Sequence, residues 1–439
     1  MTSPNISITR MHYCQPDPAV NPPPAAPSRS LRLNFSWTIL GNAVYVSTQW
    51  GILVLLARLG NPEAVGQFSL GLAIAAPIML FASLQLRAVQ ATDARVQFQF
   101  QDYAGLRILT TGAAACVICI CAMFYHGEMA LTIVAFALSK GIESLSDVVY
   151  GLWQQQERMD LIAKSLILRG VLALAGATVC YAAVHTVWAA ICGIAASWAV
   201  VFTAFDVGRG ITLANELNQT IMPRFSVNRL KPLVRLSLPL GVVTLLLSLN
   251  ANVPRYMISH FRSIRELGIY SALGYILTAG TMIVAALGQS ATPRLAHYAA
   301  HSKNREFHRL SGRLILIGLA LGAVGLLAAV AFGRQLVNLI YGFQYAQNQQ
   351  LLLWLMVAAA AGYMASFAGY SMTAARHFRV QVPLFSFLTA LTVALCYVMV
   401  KAGGAVGVAK AFAIIGFVQL AATLAVLHYS ESRRTTNTL

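Results

Sequence analysis

Apolar stretches of roughly twenty residues recur from residue 36 to residue 428, separated by short polar connections. A helix rises about 1.5 Å per residue, so each stretch matches a hydrocarbon layer about 30 Å thick. Twelve spans are predicted, at 36–57, 66–88, 108–125, 129–153, 163–184, 187–207, 233–256, 267–290, 313–332, 350–372, 382–401 and 405–428. The runs are continuously apolar and do not alternate with period two, which specifies helices and argues against a barrel. No connection is long enough to hold a folded soluble domain. The expected fold class is all-α, a polytopic membrane protein of about twelve transmembrane helices.

Composition agrees: 58% of the 439 residues are hydrophobic and 10% are charged, against about 25% charged in an average soluble protein. The net charge of +17 would suit nucleic acid if it formed a patch, but its placement follows the membrane. With the N-terminus in the cytoplasm, 22 Lys/Arg fall on the cytoplasmic side and seven on the outer side: Arg58, Arg255, Arg262, Arg265, Arg334, Lys401 and Lys410. Arg87 and Lys140 lie within spans. This asymmetry predicts a multi-pass membrane protein with both termini in the cytoplasm and leaves nucleic acid without a role.

Residues 1–30 are rich in proline (Pro16, Pro18, Pro22, Pro23, Pro24, Pro27) and have no apolar core. They read as a disordered cytoplasmic tail and not as a cleaved signal peptide, with a second short tail at 431–439. Cys116, Cys119, Cys121, Cys180, Cys192 and Cys396 fall inside apolar spans, where cysteine acts as a small hydrophobe, and no metal or cofactor is expected.

The longest polar connection, 208–232, divides the spans six and six, giving lobes at 31–207 and 233–430 joined by a cytoplasmic linker. The halves show faint similarity at an offset of about 200: Leu40-Gly41 falls near Leu240-Gly241, and Val65-Gly66-Gln67-Phe68-Ser69 near Leu267-Gly268-Ile269-Tyr270-Ser271. Six intervening spans give both copies the same orientation. The predicted design is a parallel repeat about an axis along the membrane normal.

Six segments, in order along the whole chain, resemble the polysaccharide transporter family of the multidrug/oligosaccharidyl-lipid/polysaccharide exporter superfamily: Asn34 to Ala64, Leu84 to Asp93, Asn252 to Tyr270, Ala286 to Ala296, Leu339 to Tyr345 and Gly403 to Ala409. The resemblance implies two six-helix lobes around a central cavity, alternating access, and a lipid-diphosphate oligosaccharide as cargo, such as an O-antigen or exopolysaccharide repeat unit on undecaprenyl diphosphate. It also brings in membrane lipids, a coupling proton or sodium ion, and a polysaccharide polymerase and chain-length regulator as partners.

An ionisable residue inside a span costs about 2.5–3.5 kcal/mol on insertion scales, which marks it as a functional candidate. Lys140, Glu143 and Asp147 are spaced i, i+3, i+7 on the fourth span and share one face, with Tyr150 and Gln154 continuing it. That face could hold a sugar, relay a proton or cation, or form a structural ion pair. Arg255 follows Asn250, Asn252 and Pro254 near the outer end of the seventh span, and Arg87 lies between Gln85 and Gln90 near the inner end of the second. Both suit a diphosphate, which guanidinium grips through paired hydrogen bonds, and both could instead snorkel to headgroups. Asn42 and Gln49 share a face of the first span and could line a sugar path or bond neighbouring helices. Lys164, Arg169 and Asp206 read as topology or interface residues.

The competing functions are a multidrug efflux antiporter of the same superfamily, an envelope-assembly enzyme such as an O-antigen polymerase, and an assembly scaffold. The cations lean towards an anionic lipid cargo. Every outer loop is too short for a catalytic group.

Overall fold

The computed structural model describes residues 31–93, 97–217, 220–301, 303–375 and 378–436, and all regular structure among them is helical. The expected tail at 1–30 lies outside the described residues. The first half contains α1 (Leu31–Leu59), α2 (Pro62–Ser83), the short α3 (Leu86–Thr92), α4 (Phe100–Ala122), α5 (Glu128–Gln155), α6 (Met159–Val184) and α7 (Val187–Val201), which runs through a π-helical turn (Phe202–Val207) into α8 (Gly208–Glu216). The second half contains α9 (Val227–Phe261), α10 (Ile264–Ala300), α11 (Asn304–Tyr341), the one-turn α12 (Phe343–Ala346), α13 (Gln349–Ala374) and α14 (Phe378–Thr436).

Eleven segments among the described residues are long and apolar enough to cross a membrane, and the last of them, Pro383–Leu427, has 45 residues. A straight helix of that length would be roughly 68 Å long, about twice the hydrocarbon thickness. It is not straight: Gly404 has φ 57 and ψ −140, and the Met399 carbonyl fills the space where a Cβ on Gly407 would sit. The chain folds back there, so α14 supplies two crossings and the total is twelve. Both ends of the reversal are capped from α9 and α10. Arg262 donates to the carbonyls of Val400 and Lys401, each at 3.0 Å, and Glu266 accepts from the Ala405 N–H at 2.5 Å. A cation thus meets a helix C-terminus and a carboxylate meets a helix N-terminus, the signs that the helix dipole favours.

The two halves form two lobes. Their second long helices begin alike: Asn61 caps α2 by accepting from Ala64 N–H at 2.8 Å, and Ser263 caps α10 by accepting from Glu266 N–H at 3.1 Å. The repeat is closed by a reciprocal contact. The Ile264 carbonyl occupies the space a Cβ on Gly66 would need, and the Pro62 carbonyl occupies the space a Cβ on Gly268 would need. Positions related by the same offset touch each other, as an axis between the lobes requires, and only glycine permits the approach.

Bonds between the lobes gather at this end. Arg265 pairs with Glu63 at 3.1 Å; Arg58 donates to the carbonyls of Asn338 (3.0 Å), Leu339 and Ile340 (2.9 Å); Trp50 donates to the Tyr341 hydroxyl at 2.7 Å; and the Tyr256 hydroxyl donates to the Ala73 carbonyl. Further along, α2 packs on α9, whereas α1 leans on α6 and barely meets α10. Towards the opposite end a groove of about 590 Å³ opens between α3, α4 and α9. The inter-lobe bonds close one end of the molecule, and at the other Leu230 and Leu233 of α9 stay buried against the first lobe beside the groove. The stretch between α8 and α9 is clamped to the first lobe by Arg224, which bonds the side chains of Gln101 (2.6 Å) and Gln99 (3.1 Å).

Candidate functional site

Helix α5 has no proline and one central glycine, so its regular turn sets Lys140, Glu143, Asp147, Tyr150 and Gln154 along one face, as the spacing predicts. Each charge on it has partners. Lys140 pairs with Glu143 at 2.7 Å and sits 5.4 Å above the Trp198 ring. The Tyr45 hydroxyl of α1 donates to the other Glu143 oxygen at 3.0 Å. Asp147 is shared by two guanidiniums, Arg107 at 2.8 Å and Arg87 at 3.4 Å, and Arg87 also donates to Gln154 at 2.9 Å.

Behind this face lies a second, wholly buried layer. Arg169 stands 3.8 Å from Asp206 and bonds Ser146, while Asp206 accepts from Ser165 at 2.6 Å, and Ser165 bonds Tyr150 at 2.6 Å. The Arg169 guanidinium lies 5.7 Å from both the Tyr150 and Trp198 rings. Four cations (Arg87, Arg107, Lys140, Arg169) therefore face three carboxylates (Glu143, Asp147, Asp206) inside one lobe. Pairing makes this tolerable, since an isolated charge there would be driven out.

The front of the cluster lines a cavity of about 240 Å³, bounded by Thr38, Asn42 and Tyr45 of α1, Arg87 of α3, Glu143, Asp147 and Tyr150 of α5, and Arg169 of α6, with an apolar floor from Ile162 and Leu166. Hydroxyl, amide, carboxylate and guanidinium groups beside aromatic faces suit a polyhydroxylated ligand, which needs donors, acceptors and a stacking surface together.

The cavity gathers Asn42, Arg87, Glu143 and Asp147 and leaves out other residues that the sequence singled out. Lys140 lies behind Glu143. Gln90 is buried inside the lobe, where its amide, turned to suit its neighbours, bridges the Val148 carbonyl and the Leu152 N–H at 3.2 Å each. Gln49 is outside the cavity, with its amide nitrogen buried and unbonded among the described residues. Asn250, Asn252 and Arg255 belong to the other lobe. Arg255 donates to Asn252 at 2.5 Å, its Nε has no partner among the described residues, and its electrostatic neighbours are the hydroxyls of Tyr256, Tyr270 and Tyr275. Counting turns from the closed end, Arg255 lies about 10 Å deep and Glu143 about 22 Å. These are two separate places in the molecule.

Two expectations are corrected. Arg169 and Asp206 are not interface residues at span ends; they are 1% and 0% exposed and form the base of the cluster. Arg107, assigned to a cytoplasmic loop, is 1% exposed, because α4 starts at Phe100, two turns earlier than hydropathy suggests.

A family model described as polysaccharide biosynthesis protein matches residues 31–299, which include the whole first lobe, the cavity, and Arg255. The chain belongs to that family. Among curated proteins it is similar to the capsular polysaccharide biosynthesis protein CapF of Staphylococcus aureus, 25% identical over 388 residues, covering 88% of this chain and 96% of CapF. Among solved structures it is similar to an inward-facing multidrug resistance MATE family transporter of the MOP superfamily (TM-score 0.73, 14% identity, 92% of this chain and 100% of that one). It is also similar to the lipid II flippase MurJ in an inward closed conformation (TM-score 0.69, 11% identity, 90% and 87%). An outward-facing MATE family transporter gives 0.54 (14% identity, 92% and 96%). The shared fold is that of two-lobed membrane transporters.

Proposed function

We propose that the chain moves an undecaprenyl-diphosphate-linked oligosaccharide, an O-antigen or exopolysaccharide repeat unit, from the cytoplasmic to the periplasmic leaflet of the bacterial inner membrane by alternating access. The observation that carries this reading is the polar cavity of the first lobe, a site that combines hydrogen-bonding groups with an aromatic face. Membership of a polysaccharide biosynthesis family supplies the sugar; the transporter fold supplies the movement. In this reading both termini are cytoplasmic, the end with the groove faces the cytoplasm, and Arg255 waits beneath the closed end for the diphosphate. The chain does no covalent chemistry. A proton or sodium ion, or the membrane potential, drives the cycle, and a polymerase with its chain-length regulator takes the cargo on the far side.

Depletion of the chain in its host tests this directly. The lipid-linked repeat unit should accumulate, accessible from the cytoplasmic leaflet only. Accumulation on the periplasmic leaflet would instead assign the chain to polymerisation. The second reading, efflux of organic cations, is supported by Glu143 and Asp147 in the cavity, but each carboxylate is already held by a cation. Drug sensitivity on depletion with normal surface polysaccharide would favour it.

A further inference from the structure

The second crossing is interrupted where no proline or glycine calls for it. Leu84 (φ 48) and Gln85 (φ 51) are successive left-handed residues between α2 and α3. L-residues with side chains adopt this conformation only at a cost, and it persists where the surroundings impose it. The break also strands backbone donors: Ala88 and Val89 N–H bond back to the Gln85 carbonyl, while the N–H groups of Leu86 and Arg87 find no acceptor among the described residues.

The break is packed against the other lobe. Leu84 is 4% exposed and is packed on Gly241 of α9, where a Cβ would stand 2.9 Å from Leu84 Cδ2 and 3.0 Å from the Phe81 carbonyl oxygen. Thr244, one turn along α9, points its hydroxyl at the Leu80 carbonyl at 3.4 Å. Three residues past Leu84, Arg87 reaches into the cavity to Asp147 and Gln154. In a continuous helix Arg87 would stand on a different face, because two left-handed residues redirect everything after them.

We infer that the Leu84–Gln85 break reports lobe position: contact with Gly241 holds it open and presents Arg87 to the cavity, and withdrawal of α9 lets α2 and α3 join into one helix that removes Arg87 from Asp147. Joining bonds the Leu86 and Arg87 N–H groups to the carbonyls of Ala82 and Ser83 in the ordinary i to i−4 pattern. Binding at Arg87 and closure at Gly241 then favour the same state, which is reciprocal coupling between a site and a conformation. The inference rests on the proposed function only where transport is the readout.

The test uses the full chain, with its cysteines replaced, in lipid nanodiscs. Hydrogen exchange is followed over residues 80–92, and the lobe separation is read from spin labels at Glu157→Cys and Asn304→Cys. Gly241→Val should change the label distance and remove the rapidly exchanging population at Leu86 and Arg87. Conversely, Glu63→Cys with Arg265→Cys, joined by a short bifunctional thiol reagent to hold the closed end shut, should keep both amides fast-exchanging and the label distance fixed. A changed lobe distance with unchanged exchange at 86 and 87 overturns the inference, and so does exchange indifferent to the cross-link, whichever variant folds well enough to be measured. Loss of cargo export in Gly241→Val with both structural readouts as expected leaves the inference standing and ties it to transport. Normal export with those same readouts refutes the transport role of Arg87 and not the coupling.

Discussion

The two lobes share an architecture and handle charge in opposite ways. Residues 1–226 carry 13 Lys/Arg against 11 Asp/Glu, whereas residues 227–439 carry 18 against three. In the first lobe the acids are spent inside the membrane, where Glu143, Asp147 and Asp206 neutralise four cations. The second lobe has no acid to spare for its interior: Glu266 caps a helix start at the closed end and Glu306 lies in the first turn of α11. Among the described residues, two cations within its spans are held without carboxylates, Lys410 over the Trp354 ring at 5.1 Å and Arg255 by its hydrogen bond to Asn252 at 2.5 Å. A repeated fold therefore sets the frame, and the distribution of acids decides which lobe pairs its interior cations with carboxylates and which leaves Arg255 without one.

The largest expected effect breaks this contrast at Arg255. Arg255→Ala should abolish export of the repeat unit at normal protein abundance, and Arg255→Lys should recover part of it, because ammonium attracts a diphosphate without the two-point grip of guanidinium. Export assayed beside immunoblotting of membranes separates the two quantities. Wild-type export by the alanine variant would return Arg255 to the headgroup-anchoring class and leave Arg87 as the diphosphate candidate.

Next comes Asp147, where the first lobe predicts loss of stability. Asp147→Asn leaves Arg107, which is 1% exposed, without a counter-charge. Removing one member of a buried pair costs about 3–5 kcal/mol, and because Asp147 itself is about one-third exposed a value of about 2–3 kcal/mol is expected. Thermal unfolding in detergent should show it, with partial recovery on adding Arg107→Met. A stable Asp147→Asn protein that fails to transport would move Asp147 from the scaffold to the working groups. Glu143→Gln sits one step lower: Lys140 is left with Trp198 alone, and about 1–2 kcal/mol should be lost. If Lys140→Met restores transport to Glu143→Gln, the pair is structural and not a proton relay.

The sequence made the crossings legible because hydropathy over twenty residues averages out local detail. It made the α5 stripe legible because i, i+3, i+7 spacing needs only a regular helix. The partners were another matter. Arg107 looked like a loop residue because α4 begins with polar Gln101 and Asp102, which hydropathy discards although Asp102 is buried and caps the helix start. Asp206 looked terminal because the seventh helix continues through a π-helical turn to Glu216 without an apolar signature. Its own helix offers Arg209 three residues on, yet the structure pairs Asp206 with Arg169 of α6 instead. Gln90 is a different case: it follows Leu84 and Gln85, and nothing in that dipeptide announces a left-handed pair. That break is packed against Gly241 of the other lobe, a contact that no local pattern contains.

The smallest effect is expected where the lobes meet in water. Glu63 and Arg265 pair at 3.1 Å across the closed end, with side chains 41% and 49% exposed. Exposed pairs contribute only about 0–1 kcal/mol, and salt screens them further. Unfolding temperature should therefore barely move in Glu63→Arg or in Arg265→Glu. The balance between closed and open ends that alternating access requires is a different quantity, because a pair made only with the end shut contributes wholly to that balance. A single reversal places like charges 202 positions apart in sequence against each other and should raise labelling of a cysteine placed at Tyr345, a residue only 1% exposed when the end is shut. Combining Glu63→Arg with Arg265→Glu should bring labelling back towards the parent value, and high salt should shrink the difference between variants. Equal labelling in all four proteins would show that the glycine contacts at Gly66 and Gly268, together with Arg58 on the α11 carbonyls, close this end without help from the ion pair.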